Sequence, residues 1–196
     1  MRKLIPVLIT FCFLLTSCET KKNTEKFSVD SANSKIVWTA YKTTDKFPVE
    51  GQFTDVTVEK ASGETVLKAI DGTEFDIPVS SIFTNNVDRD QKISTYFFGV
   101  LIESMNLKGS LHIGEEGKAY AMINLNGLRE KLPMTYDVSG NTVNLNGVMD
   151  LNKWNAIPGV ESINQACYEL HKGADGISKT WDEVAIALSI PVIASK

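Results

Sequence analysis

From Ser34 onward the chain is dominated by apolar positions that recur every second residue, the repeat of a strand with one face turned inward. Ile36, Trp38 and Ala40 alternate with Val37, Thr39 and Tyr41, so both faces of this first strand carry bulk. Phe47, Val49, Gly51 and Phe53 share one face of a second, and Gly51 marks a bend or bulge in its middle. Thr65 to Ile70 reads as one or two helical turns closed by Asp71-Gly72, and Phe75, Ile77 and Val79 then alternate again. Leu107, Gly109, Leu111 and Ile113 share one face; Tyr120–Leu125 is a strand turned by Asn126-Gly127. Leu132, Met134, Tyr136 and Val138 follow, then Val143, Leu145, Gly147 and Met149 after the turn at Ser139-Gly140-Asn141. The last strand carries Val184, Ile186, Leu188, Ile190 and Val192 in strict alternation. Runs this short, joined by Gly/Asn turns, predict a meander of hairpins. The expected fold is mainly β: an eight-stranded antiparallel barrel with two or three short helices.

Two stretches depart from the two-residue period. Thr84, Asn85 and Asn86 offer helix-capping side chains, Asp88 and Asp90 suit the positive end of a helix dipole, and Ile93, Tyr96 and Phe97 then share a helical face, followed by Phe98. Val160, Ile163, Cys167 and Leu170 recur at helical spacing between Pro158 and Gly173, which predicts a helix across one end of the barrel.

The N-terminus changes the picture. Met1-Arg2-Lys3 is a positive segment, and Leu4 to Leu15 is an apolar run too short to span a bilayer and suited to a signal peptide. Leu15-Thr16-Ser17-Cys18 resembles a bacterial lipobox, so Cys18 is the expected lipid-attachment residue and residues 1–17 the leader. The polar residues 18–26 read as a tether, and 27–193 as the barrel domain. The expected location is the bacterial cell envelope, lipid-anchored, at the periplasmic side of the outer membrane. The formal charge of -4 becomes -6 once Arg2 and Lys3 leave with the acid-free leader. With no Lys/Arg cluster, nucleic acid is excluded as a partner.

Catalytic chemistry finds little footing. The chain has two His, no Gly-x-Ser-x-Gly elbow and no glycine-rich phosphate loop. Cys167, His171 and Asp175 lack the fourth ligand of a structural metal site, so packing and a helix-end histidine are the reading preferred for them, and no metal is expected. His112 lies in a strand on the face opposite Leu111 and Ile113. Arg89 between Asp88 and Asp90 is either a surface ion pair or the partner of a polar ligand head. Phe97, Phe98, Met105, Met122, Met134, Met149 and Trp154 add adaptable apolar bulk, the material of either a filled core or a pocket wall.

Ser81-Ile82, Thr84-Asn85, Arg89-Asp90 and Phe97-Phe98 occur in an order that resembles the signature of the YceI-like family. Met122 to Gly127, Gly147 to Leu151 with Trp154, and Lys179-Thr180-Trp181 extend the resemblance over Phe27 to Val192. It implies a lipocalin-like barrel around a long hydrophobic tunnel that binds an isoprenoid or other long-chain lipid, tail inside and head near the open end. Carried over to this chain, it implies ligand contacts at Phe97, Phe98, Met122, Met134, Tyr136, Leu145 and Trp154, with Arg89 as the candidate for the polar head. The family pattern is departed from between Lys60 and Gly72 and in the lipobox. No cofactor is expected beyond a bound polyprenyl or long-chain lipid, and no enzymatic activity. Expected partners are that lipid and, through acylated Cys18, the membrane; the oligomeric state, a homodimer included, stays open. The alternative is a lipid-free envelope lipoprotein with a filled core that serves as a structural or interaction module. An enzyme acting on a lipid would instead need polar groups converging at the tunnel mouth.

Overall fold

A computed structural model describes residues 26–195. Cys18, the leader and most of the tether lie outside the described residues.

The alternating rows become strands β1 (Lys26–Val29), β2 (Lys35–Lys42), β3 (Phe47–Phe53), β4 (Thr57–Glu59), β5 (Ser62–Gly63), β6 (Thr73–Pro78), β7 (Ile82–Phe83), β8 (Asn106–Ile113), β9 (Lys118–Leu125), β10 (Leu128–Ser139), β11 (Thr142–Asp150) and β12 (Glu183–Ser195). Eight of them have six residues or more and build the wall. The four short ones trim its edges. The order across the sheet is β4-β6-β8-β9-β10-β11-β12-β2-β3-β7, every pairing antiparallel, and β1 joins β12 to β5. β8 through β11 are the predicted meander. At its β9–β10 corner Asn126 and Gly127 have φ of 51° and 70°, the two left-handed positions that a tight hairpin of this hand requires.

The sheet curls until its two ends meet. Its ladder is not closed by one long pair of strands. β7 pairs with β3 only through Gln52 and Phe53, and Ser81, just before β7, completes the seam. The Ser81 carbonyl accepts from Thr54 N at 2.9 Å and Thr54 Oγ1 at 3.1 Å, while Ser81 Oγ donates to Pro78 O at 2.7 Å. Ser81 is buried, so these bonds satisfy groups that water cannot reach.

Helical pieces sit at both ends of the barrel. At one end α1 (Val66–Ile70) is capped by Thr65 Oγ1, which accepts from Lys68 N, and buries Ala69 and Ile70 completely. At the other end α2 (Val87–Lys92) starts at Asn86, whose side chain accepts from Arg89 N. α2 runs on into a single π turn over Ile93–Phe97 and then a 3-10 turn at Phe98–Val100. The wider turn shifts the register expected of a plain α-helix. Ile93 and Phe97 stay inside, and Tyr96 comes out 41% exposed. α3 (Ile157–Ala166) packs beside this π turn. Trp154, fully buried at the same end, donates its indole N–H to Ile123 O at 2.9 Å.

Gly51 lets the β2–β3 pair close. The Trp38 ring lies over it, and a Cβ at Gly51 would stand 2.2 Å from that ring. Because Trp38 is buried and both strands are ladder-bonded, neither can retreat cheaply. Gly51→Ala is expected to cost about 1–3 kcal/mol, the usual range for overpacking, read as a lower urea midpoint with unchanged m-value.

Candidate functional site

Facing inward at regular intervals is also what leaves room. The barrel encloses a cavity of about 660 Å³, within the roughly 300–1,000 Å³ usual for small-molecule sites. Its wall is built from Ile36, Trp38 and Ala40 of β2, Phe75 and Ile77 of β6, Leu107 and Leu111 of β8, and Ala121, Ile123 and Leu125 of β9. Leu132 and Met134 of β10, Met149 of β11, and Val184, Ile186, Leu188 and Ile190 of β12 complete the circuit. Ile70 of α1 closes the floor. The inward residues of β9 are small at Ala119 and Ala121, while the bulkier Tyr120 and Met122 stand on the outer face. Small residues inside and large ones outside are what an open interior needs.

The mouth lies at the end where β2 stops and β3 begins. Beyond Gln52 the outer edge of β3 has no strand partner, and the cavity is lined there by Asn86, Asp88, Arg89 and Lys92 of α2. Phe47 and Leu170 border the cavity while 58% and 59% exposed, so they form its rim. Lys42, His171, Thr180 and Trp181 complete the mouth. Lys42 Nζ donates to Leu170 O at 3.0 Å, tying the segment after α3 to the end of β2. Trp181 donates its indole N–H to Thr43 O at 2.8 Å, with Lys46 and Lys179 over its ring. The site is therefore an apolar shaft with one polar, charged end, where Lys42, Arg89 and Lys92 stand with Glu50 and Asp88.

The residues expected from sequence fall into three groups. Phe97, Phe98 and Met134 line the cavity, as does Arg89 at the mouth. Phe97 and Phe98 meet edge to face with centroids 4.8 Å apart. Tyr136 and Leu145 lie on inward faces but pack into the solid part of the core, away from the cavity; Tyr136 donates to Gly114 O at 3.3 Å. Trp154 is likewise inside and fully buried, held by Ile123 O without bordering the space. Met122 is on the outer face of β9, opposite Ser110 and Lys131. Arg89 has no side-chain hydrogen bond or ion pair recorded among the described residues, and the neighbouring Asp90 is taken by Thr84 N and Oγ1 at 2.9 and 2.6 Å.

Sequence reasoning passed over the Trp38 row, Ile186 and Leu188 as wall, and His171 as a mouth residue. The alternation put each of the first three on a regular apolar row, the signal that could have found them. Nothing local marked His171. Its Nδ1 lies 2.7 Å from Thr180 Oγ1, nine residues on, and Thr180 in turn donates to Asn164 Oδ1 at 3.0 Å. His112, on the outer face, lies 2.9 Å from Ser110 Oγ and stacks on Tyr120. Cys167 is buried against the cavity as a free thiol. Among the described residues no group of three or more His, Cys, Asp and Glu is placed to hold a metal, and no helix is long and apolar enough to cross a membrane.

Burial pushes the His171 imidazole down to about 4, helped by the Lys42 charge. The unfolded chain then takes up a proton near the ordinary histidine value of about 6.5, while the folded one stays neutral. Stability from this group is complete above that value and is lost as pH falls towards 4. Urea unfolding at pH 7 and pH 4.5 checks this: His171→Gln should lose less stability than the parent protein on acidification.

A model of the YceI-like domain family matches residues 27–192. The fold is similar to a polyisoprenoid-binding domain from Saccharophagus degradans implicated in plant cell wall breakdown, at TM-score 0.58 and 13% identity over 86% of this chain and 98% of that one. It is also similar to BcnA of Burkholderia cenocepacia, at TM-score 0.52 and 17% identity over 84% and 99%. A YceI protein of Campylobacter jejuni gives TM-score 0.52 and 14% identity over 76% and 85%. No curated protein matches the sequence.

Proposed function

Because the chain belongs to the YceI-like domain family, we propose that it binds one extended isoprenoid or other long-chain lipid inside its barrel. The carrying observation is the shaft of about 660 Å³, walled by apolar side chains from all the long strands and open at one polar end. A core meant only to hold the fold together would be filled, since voids in a wall of this kind forfeit contacts on every side. The polyisoprenoid-binding domain of similar fold supports the choice of ligand class.

The mechanism is solvophobic. Each methylene moved from water into the shaft contributes about 0.8 kcal/mol, offset by the loss of chain freedom. Affinity therefore grows with ligand length and depends little on any single contact. Phe97 and Phe98 form the turn that the chain passes on entry, Met134 adapts to its branching, and Arg89 with Lys92 meets the polar end. Acylation at Cys18 would hold the barrel within reach of the membrane from which a lipid is taken, at the cell envelope. The protein acts here by binding and release, without catalysis. The filled-core interaction module is disfavoured by the cavity.

Native mass spectrometry on the chain from Glu19 onward, expressed in bacteria and purified without detergent, is expected to show an adduct of several hundred daltons that organic solvent extracts. A bare mass that stays unchanged after incubation with isoprenoids and long-chain lipids would overturn the reading. Ala40→Trp places an indole in the shaft between the mouth and Trp38. It should abolish the adduct while circular dichroism and the urea midpoint remain close to those of the parent.

A further inference from the structure

The mouth contains a polar device that a pure hydrocarbon binder does not need. Asn164 Oδ1, on α3, accepts from two hydroxyls, Ser178 Oγ at 3.2 Å and Thr180 Oγ1 at 3.0 Å. A threonine hydroxyl has one proton. With that proton given to Asn164, Thr180 Oγ1 meets His171 Nδ1 as an acceptor, at 2.7 Å. The ring proton of His171 therefore sits on Nδ1, and Nε2 carries a lone pair. Among the described residues no hydrogen bond is recorded to Nε2, and the ring borders the cavity. Three elements, α3, the 3-10 turn at Tyr168–His171 and the segment leading into β12, cooperate to fix this orientation. Such second partners commonly set which histidine nitrogen is offered to a ligand.

We infer that His171 Nε2 is the acceptor for a hydroxyl on the head of the bound lipid, so that the mouth selects a neutral isoprenoid alcohol or phenol. This rests on the lipid-binding reading and narrows its ligand class. The cations nearby fit the same head. A hydroxyl oxygen that donates to Nε2 keeps its own lone pairs for Lys42, whose charge acts on the ring, while Arg89 and Lys92 line the same mouth. A phosphate head would satisfy those cations but would set anionic oxygens against the Nε2 lone pair. The burial that keeps the ring neutral argues against rescue by protonation. An ether or a plain hydrocarbon has no proton to give.

Four C20–C30 isoprenoids separate the cases: geranylgeraniol, its methyl ether, geranylgeranyl phosphate and squalene, titrated into the chain from Glu19 onward at pH 7. Geranylgeraniol is expected to bind about five- to tenfold more tightly than its methyl ether, the worth of one hydrogen bond at a partly buried site. In His171→Phe the two should bind alike. Long-range proton–nitrogen NMR gives a readout on the unmutated protein. His171 should show the Nδ1–H tautomer, and its Nε2 signal should move on addition of the alcohol but not of squalene, with His112 as the internal control. An Nε2–H tautomer, equal affinity for alcohol and ether, or tightest binding of the phosphate would each overturn the inference while leaving lipid binding intact. If none of the four binds, the lipid-binding reading falls, and this inference with it.

Discussion

Closing a curled antiparallel sheet on itself is the constraint from which the rest of this molecule follows. The two free edges meet at Ser81, whose carbonyl takes Thr54 N and Oγ1 and whose hydroxyl turns back to Pro78 O. An open sheet of this length would present unpaired N–H and C=O groups to solvent and to other chains. Once the seam is made, the inward row of every long strand faces the same axis. The apolar positions of β2, β6 and β8 to β12 then become one surface instead of several.

Closure is incomplete, and function depends on where. The partner edge of β3 ends after two residue pairs with β7, and beyond it α2 replaces a strand. A strand would have continued the apolar wall to the rim. A helix started by Asn86 instead brings Arg89 and Lys92 to the opening, and the π and 3-10 turns that follow carry Phe97 and Phe98 inside. The same end gathers the polar cluster of Asn164, Ser178, Thr180 and His171. The opposite end, sealed by the fully buried Ala69 and Ile70 of α1, carries no comparable set of charges against the cavity. The barrel thus has a direction, apolar floor to polar mouth, imposed by which edge of the sheet was left without a partner.

Much of this was legible beforehand, and the misses have physical causes. Alternation grouped Trp38 with Ile36 and Ala40, Met134 with Leu132, and Ile186 with Val184 and Leu188 on shared faces, because a two-residue period leaves only two choices per strand; which face turns inward came from the closed sheet. Alternation misled at Met122, since in the first half of β9 Tyr120 and Met122 stand outside while Ala119 and Ala121 face in, with Ile123 and Leu125 following on the inner row. Hydrophobicity ranks residues by burial and takes no account of space deliberately left empty. Leu145, Tyr136 and Trp154, expected as ligand contacts, lie on the inner side of the barrel without lining the cavity. How far one inward side chain stands from the opposite wall is a property of the closed barrel. His171 was read as a helix-end residue because its partners, Asn164 and Thr180, are seven and nine positions away across a turn.

What the sequence determined by itself is the eight long strands, the two alternating rows of side chains on each, the hairpin corners such as Asn126-Gly127 and a helix start within Thr84-Asn85-Asn86. Each of these is set by neighbours within a few residues, through side-chain alternation, capping and left-handed backbone positions. Only the tertiary structure decided that the interior holds a shaft, that its mouth lies beside α2, and that His171 offers Nε2 there. Those depend on distances between residues far apart in the chain, which exist only after the sheet has closed.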